Sequence, residues 1–143
     1  MSRISLEQAN SIISAAFAHG RTMGLKKPLS VAVVDAVGHV LAFQRQDGAS
    51  TMRFQIAMAK ACGALGLGVS SRKIAEMAVE RPTFIASLGP ISQAGVVPAA
   101  GGVIVTDAQG APIGAVGITG DTSDNDEACA LAGILAAGLK VQG

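Results

Sequence analysis

The sequence predicts an α+β fold in which an antiparallel β-sheet of about five strands lies between helices. Two segments, 31–44 and 103–119, each hold two β-rich runs joined by a tight turn, which is the pattern of a hairpin. Segments with helical periodicity flank these hairpins, and strands joined by hairpins pair in antiparallel fashion. The length of 143 residues predicts a single domain over residues 1–143.

The first helix is predicted over residues 5–23, where apolar and small residues recur at spacings of three and four. Ser5 and Gln8 have the spacing of a capping box. Gly24 follows the last apolar position and ends the helix.

Both hairpins are predicted to use the same turn chemistry. They turn on VVDAVG at 33–38 and on VTDAQG at 105–110. In each turn Asp bonds to its own backbone and Gly supplies a positive φ.

Two further helices are predicted between the hairpins, over 51–67 and over 71–79, with Ser70 or Ser71 as the cap of the second. Residues 81–101 contain three prolines and three glycines, so they are predicted to be mostly loop with short extended pieces.

The last helix is predicted from about Ser123 to Lys140, with Lys140 in its final turn. Asp124 and Glu127 have capping-box spacing, and Ser123 is an alternative cap. The acidic start of this helix favours self-capping, with cation binding as the alternative. Its predicted apolar stripe consists of Ala128, Leu131, Ala132, Leu135 and Leu139.

Composition excludes several classes of partner. A net charge of +1 and the lack of basic runs interleaved with aromatics argue against nucleic acid and membrane surfaces. Cys62 and Cys129 form no CxxC pair, and the N-terminus has no apolar signal region, which together predict a cytoplasmic protein. Because half of the residues are hydrophobic and only 15% are charged, a homo-oligomer is expected to bury part of the surface.

A polar cluster follows the first hairpin and is the main candidate for a binding or active site. It contains Arg45, Asp47, Gly48 and Arg53, with Lys60 further along the next helix. Two hypotheses apply to Lys60. Its ammonium reaches solvent along an apolar stem, or it is desolvated, with a lowered pKa and an anion or a carbonyl as partner.

Two other features bear on a ligand. The run PAAGG at 98–102 ends in Gly101 and Gly102, and such a loop either wraps an anion or a planar ligand or merely turns the chain. His19 and His39 are too few and too far apart for a structural zinc site. A haem iron needs only one axial ligand, so either histidine remains a candidate for haem.

Four segments in order resemble the GlcG/HbpS-like family, which includes the C-terminal domain of the PduO adenosyltransferases. They are SVAVVDAVGHVLAFQRQDGA at 30–49, IAMAKACGA at 56–64, VVPAAGGVIV at 96–105 and GAPIGAVGITGDTSDNDEACALAGI at 110–134. The resemblance implies a profilin-like α-β-α sandwich, a homo-oligomer that is often an octamer, and haem as the ligand of some members. It also implies the following site residues: Arg45, Asp47, Gly48, Ala49, Lys60, Ala61, Gly101, Gly102, Asp126 and Glu127.

Three functions remain open from the sequence. The first is a small-ligand-binding oligomer for haem or a related planar ligand, accessory to a catabolic or redox pathway, with Arg45, Asp47, Arg53, Lys60, Gly101 and Gly102 as ligand-binding residues. The second is a cofactor-independent tautomerase, isomerase or hydratase acting on a small carboxylate or carbonyl metabolite. There Arg45 or Arg53 would orient the substrate, and Lys60 or Asp47 would handle protons. The third is an accessory subunit whose glycine-rich faces serve only assembly.

Overall fold

The computed structural model describes residues 2–143, and over that range it shows five α-helices, a short 3₁₀ helix and a five-stranded sheet. In chain order these are α1 Leu6–Thr22, β1 Ser30–Asp35, β2 Val40–Arg45, α2 Arg53–Leu67, α3 Ser71–Glu80, α4 Pro82–Leu88, the 3₁₀ helix Gly89–Ile91, β3 Gly102–Thr106, β4 Pro112–Thr119, α5 Ser123–Ala136 and β5 Lys140–Val141. Within residues 2–143, none of the helices has the length and apolar character that crossing a membrane requires.

The sheet has the strand order β2-β1-β4-β3-β5, and every neighbouring pair is antiparallel. Helices α1 and α5 pack on one face, and α2 packs on the other. Alternation along β1 fits these two layers, because Val31 and Val33 join the α1–α5 core whereas Val34 packs towards α2. The predicted α+β class, with the sheet between helices, is confirmed.

Helix α2 lies unusually close to the sheet because two strand positions facing it are glycines. A Cβ on Gly117 in β4 would collide with the carbonyl oxygen of Ala57. A Cβ on Gly102 in β3 would collide with the carbonyl oxygen of Lys60. Glycine in a strand therefore marks a close backbone approach here, and this approach carries Lys60 into the interior.

The predicted turns and the first cap are confirmed. Ser5 Oγ accepts the Gln8 N–H at 3.0 Å, and Gln8 Oε1 accepts the Ser5 N–H at 3.0 Å. In both hairpins one carboxylate oxygen, of Asp35 or Asp107, accepts the N–H groups two and four residues further on. The glycines that close the turns have φ of +86° and +83°.

The prediction of a mostly looped segment over 81–101 is wrong in its first half. Residues Pro82–Leu88 form α4, and Gly89–Ile91 continue it as a 3₁₀ helix. Pro82 occupies the first turn, where its missing N–H costs no hydrogen bond, so this proline begins a helix rather than preventing one.

The predicted end and cap of the last helix are also wrong. Thr122, not Ser123 or Asp124, caps α5, and its Oγ1 accepts an N–H three residues on at 3.3 Å. The helix ends at Ala136, and Gly138, with φ of +76°, turns the chain back. Lys140 therefore lies in β5, not in a final helical turn.

The buried face of α5 differs from the predicted stripe. Leu135 is 63% exposed, whereas Cys129, Ala130 and Ile134 are buried. Gly133 explains the difference, because a Cβ there would lie 2.6 Å from the carbonyl oxygen of Ile12 in α1. Close packing of two helices selects small residues for the contact and turns Leu135 outwards, whereas Leu131 and Leu139 stay partly buried against the core.

Candidate functional site

A buried ion pair joins α2 to the start of α5. Lys60 is 3% exposed and Asp126 is 1% exposed. The Lys60 ammonium donates to Asp126 Oδ2 at 3.3 Å and to the carbonyl oxygen of Ile118 at 2.9 Å. The hypothesis that Lys60 reaches solvent is wrong, and the desolvated alternative, with an anion and a carbonyl as partners, describes its environment.

Burial dominates the electrostatics of this pair. It lowers the pKa of Lys60, and nearby Arg53 acts in the same direction, while the Asp126 carboxylate opposes both. Burial likewise raises the pKa of Asp126, against the N–H donated by Asp121 and the charge of Lys60. Mutual attraction and the surrounding hydrogen bonds offset part of this desolvation, and they pin α5 to α2 and to the end of β4.

The glycine loop packs directly against this ion pair. Gly101 has φ of +129°, and a Cβ there would lie 3.0 Å from the Lys60 ammonium. The N–H of Gly102 donates to Ser71 Oγ at 2.6 Å, and the carbonyl oxygen of Gly101 accepts the Ile118 N–H at 3.0 Å. The fold thus brings Lys60, Gly101 and Gly102 together, but in the interior of the chain.

Arg45, Asp47 and Arg53 lie in a different environment. Arg45 and Asp47 are exposed and line an open pocket beyond the end of β2, which has a volume of about 510 Å³. Arg53, at the start of α2, donates through Nη1 to Thr119 Oγ1 at 2.7 Å. Because Asp47 faces solvent and Lys60 is enclosed, the two groups suggested for proton transfer do not share a site, and the geometry gives that role no support.

The acidic start of α5 is satisfied by a neighbouring helix. Arg72 in α3 donates to Glu127 at 2.9 Å and to Asp124 at 2.5 Å. These bonds raise the pKa of the Arg72 side chain. Within residues 2–143, no group of three or more His, Cys, Asp or Glu side chains is arranged to hold a metal ion.

An apolar cavity that sequence reasoning missed lies beside the first hairpin turn. It has a volume of about 310 Å³ and is lined by residues 36–38, by 92–95, and by Cys62, Leu65 and Gly66 on α2. The Cys62 thiol donates to the carbonyl oxygen of Gly38 at 3.4 Å, and burial raises its pKa, so it remains a thiol. The one feature of the sequence that could have indicated this cavity is the presence of glycines in the segments that form its two walls. Their spacing does not show that segments so far apart in the chain lie next to each other.

The two histidines occupy separate places. His39 follows the turn at the edge of this cavity, and its side chain is 78% exposed, with Nδ1 4.0 Å from Asp35 Oδ2. His19 is half-buried on the flank of α1.

Three solved structures are similar to the chain over most of its length. The PduOC:haem complex is 22% identical, with 99% of this chain and 100% of that chain covered and a TM-score of 0.85. A double mutant of HbpS from Streptomyces reticuli is 32% identical, covering 98% and 89%, with a TM-score of 0.80. Protein ORFY from Klebsiella pneumoniae is 25% identical, covering 96% and 93%, with a TM-score of 0.83.

A search of curated protein sequences finds no match. The family model described as haem degrading protein HbpS-like matches residues 4–135, which is nearly the whole chain. The sequence resemblance stated above is therefore confirmed, and the chain belongs to the HbpS-like family.

Proposed function

We propose that this chain is a small-ligand-binding protein whose ligand is haem or a related planar molecule. The observation that carries the proposal is the HbpS-like match over residues 4–135. The similarity to HbpS at 32% identity and the fold shared with the PduOC:haem complex support it.

The residues present fit a haem group. A histidine that binds haem iron needs one ring nitrogen free, and a carboxylate hydrogen-bonded to the other nitrogen fixes the ring. His39 meets the first requirement, because its side chain is 78% exposed and Nε2 is available, but Asp35 Oδ2, at 4.0 Å from Nδ1, is too far for a hydrogen bond that would fix the ring. His19 on α1 is the alternative ligand, and the sequence holds just these two histidines. When bound, the haem would supply a redox-active iron.

The cavity beside the first hairpin turn, lined by residues 36–38 that precede His39, would receive part of a planar apolar ligand. Its volume of about 310 Å³ lies at the low end of the ~300–1,000 Å³ that is usual for ligand pockets. A tetrapyrrole would therefore be only partly enclosed by one copy of the chain, and a second copy would be needed to cover the rest.

The surface of α3, α4 and the 3₁₀ helix supports assembly into a homo-oligomer. Val79 is 83% exposed and Ile91 is 81% exposed, and large apolar side chains left exposed on these short helices are typical of interfaces. Family resemblance suggests an octamer. We place this oligomer in the cytoplasm, as an accessory to a catabolic or redox pathway.

Native mass spectrometry followed by haemin titration tests the proposal. We expect an oligomer and a saturable Soret shift. One of the two single variants, His39→Ala or His19→Ala, should abolish the shift. Arg21→Ala, which removes an exposed side chain in the last turn of α1, should not. Absence of a saturable shift in the unmodified chain would overturn haem binding. A shift that persists in the double histidine variant would overturn ligation by histidine.

A further inference from the structure

Four cationic side chains without ion-pair partners meet at one corner of the molecule. Lys26 and Lys27 precede β1, Arg45 ends β2 and Arg53 begins α2, and we call these four residues the basic corner. Within residues 2–143 none of them forms a salt bridge, whereas Arg72 on α3 is paired with two carboxylates. On a chain with a net charge of only +1, the basic corner is a local excess of positive charge.

The basic corner surrounds a concave surface with two lobes. The larger lobe, of about 510 Å³, is lined by residues 25–28 and 45–47. The smaller lobe, of about 200 Å³, is lined by residues 48–50, Arg53 and Gly120. Lys27 and Pro28 line both lobes, so the lobes adjoin at these two residues.

Neutral groups hold both guanidinium groups in place. Arg53 donates to Ser50 Oγ at 3.0 Å and to Thr119 Oγ1 at 2.7 Å. Arg45 donates through Nη1 to the carbonyl oxygen of Ala49 at 3.2 Å. These bonds restrict the side chains without neutralising their charge, and each guanidinium retains further N–H donors. Restraint of this kind lowers the entropic cost of binding an anion.

The N-terminus of α2 adds to the positive potential of the corner. Helices α1, α3 and α5 are capped by Ser5, Ser70 and Thr122, but the cap position of α2 is Met52, which provides no side-chain acceptor. The first turn of α2 contains no acidic residue. Its free N–H groups therefore lie next to Arg53 with no carboxylate of their own helix to satisfy them.

We propose that the basic corner binds a small organic di- or tricarboxylate. Arg45 in the larger lobe and Arg53 in the smaller lobe each hold one carboxylate through the planar guanidinium fork, and Lys27 lies between them. Two arginines in separate lobes favour a ligand with two anionic ends over a single phosphate ion. Asp47 lines the larger lobe, and Asp121, which follows Gly120 of the smaller lobe, is close enough for its charge to interact with that of Lys27, so both carboxylates oppose binding.

Calorimetric titration of the full chain with citrate at low ionic strength tests this proposal. We expect one citrate per chain and affinity that falls as salt is added. Lys27→Gln should weaken binding about 10-fold, the effect of losing one charge-assisted hydrogen bond. Lys140 on β5 is also exposed, and Lys140→Gln should leave the affinity for citrate unchanged. Asp47→Asn should increase that affinity.

Three results would overturn the proposal. They are the absence of saturable citrate binding, equal effects of Lys27→Gln and Lys140→Gln, and inorganic phosphate binding as tightly as citrate. If citrate fails to bind but Lys27→Gln weakens haemin binding, the corner holds the propionates of the planar ligand and not a free polycarboxylate. Because the citrate titration contains no haem, its outcome is independent of whether haem binding succeeds or fails.

Discussion

The buried Lys60–Asp126 pair allows a quantitative test of what the polar residues in the interior do. At a separation of 3.3 Å and an effective dielectric constant of ~20, the attraction between the two charges is about 5 kcal/mol. Desolvation opposes this attraction by several kcal/mol for each ion. The intact pair therefore adds little net stability, but the loss of one partner leaves the other as an uncompensated buried charge.

Each single substitution in the pair should be strongly destabilising. In Lys60→Met, Asp126 keeps only the N–H of Asp121, donated at 2.9 Å, as a partner. In Asp126→Asn, the Lys60 ammonium keeps the carbonyl oxygen of Ile118 and a neutral amide but loses its counter-charge. We expect either change to lower the free energy of unfolding by about 3–5 kcal/mol.

The double variant Lys60→Met/Asp126→Asn should recover most of this loss, because it removes both charges together. The resulting interaction free energy in a double-mutant cycle is expected to exceed about 2 kcal/mol. The control is the exposed pair Lys73–Glu76, at 3.5 Å, whose coupling should stay within about 0.5 kcal/mol. Urea unfolding at one protein concentration, followed by circular dichroism, suits a chain without Trp or Tyr. Additive single effects in the Lys60–Asp126 cycle would refute the reasoning.

Three further changes test individual features of the fold by the same unfolding measurement. Gly117→Ala forces a methyl group against the carbonyl of Ala57 and should lower the free energy of unfolding by about 1–3 kcal/mol. Gly66→Ala, where the added methyl group meets open space, should not destabilise the fold. Equal effects of the two changes would contradict the close approach of α2 to the sheet. Thr122→Ala removes the cap of α5 and should cost about 1 kcal/mol, and a neutral result would argue against that cap. Burial raises the pKa of Cys129 from 9.0 to about 11, so the folded state retains the thiol proton that the unfolded state loses, and stability falls as pH rises from about 9 to 11. Over these two units the loss is about 2.7 kcal/mol, and Cys129→Ala should remove that part of the pH dependence; identical alkaline profiles of the two chains would exclude it.

Features fixed by neighbouring residues could be predicted from the sequence. The hairpin turns depend on an Asp and a Gly three positions apart, and the cap of α1 depends on Ser5 and Gln8, so the local sequence is sufficient. The same local rules failed at Pro82 because a proline both interrupts and begins helices, and the choice depends on whether the following residues find a packing partner. Here Ile85 is buried and α4 packs on α3.

Features that depend on contacts between distant segments could not be predicted. The sequence places Lys60 among small residues on a helix and Asp126 near the start of another, but they are 66 positions apart and nothing local pairs them. Leu135 lies outside the core because Gly133 admits the backbone of α1. In both cases the interhelical or helix–sheet distance decides which side chains are buried, and that distance is a property of the assembled fold.

The candidate ligand-binding residues divide into two groups with different physical roles. Lys60, Gly101 and Gly102 are buried together, and the glycines leave room for the lysine carbonyl and ammonium, so this group fixes α2 against β3 and β4. Arg45 and Arg53 are held by neutral oxygen atoms at the surface and retain unused donors, which is the state expected of groups that meet a ligand. If this division is right, substitution in the first group changes stability and affects binding only through it. Substitution in the second group changes binding while the free energy of unfolding stays nearly constant.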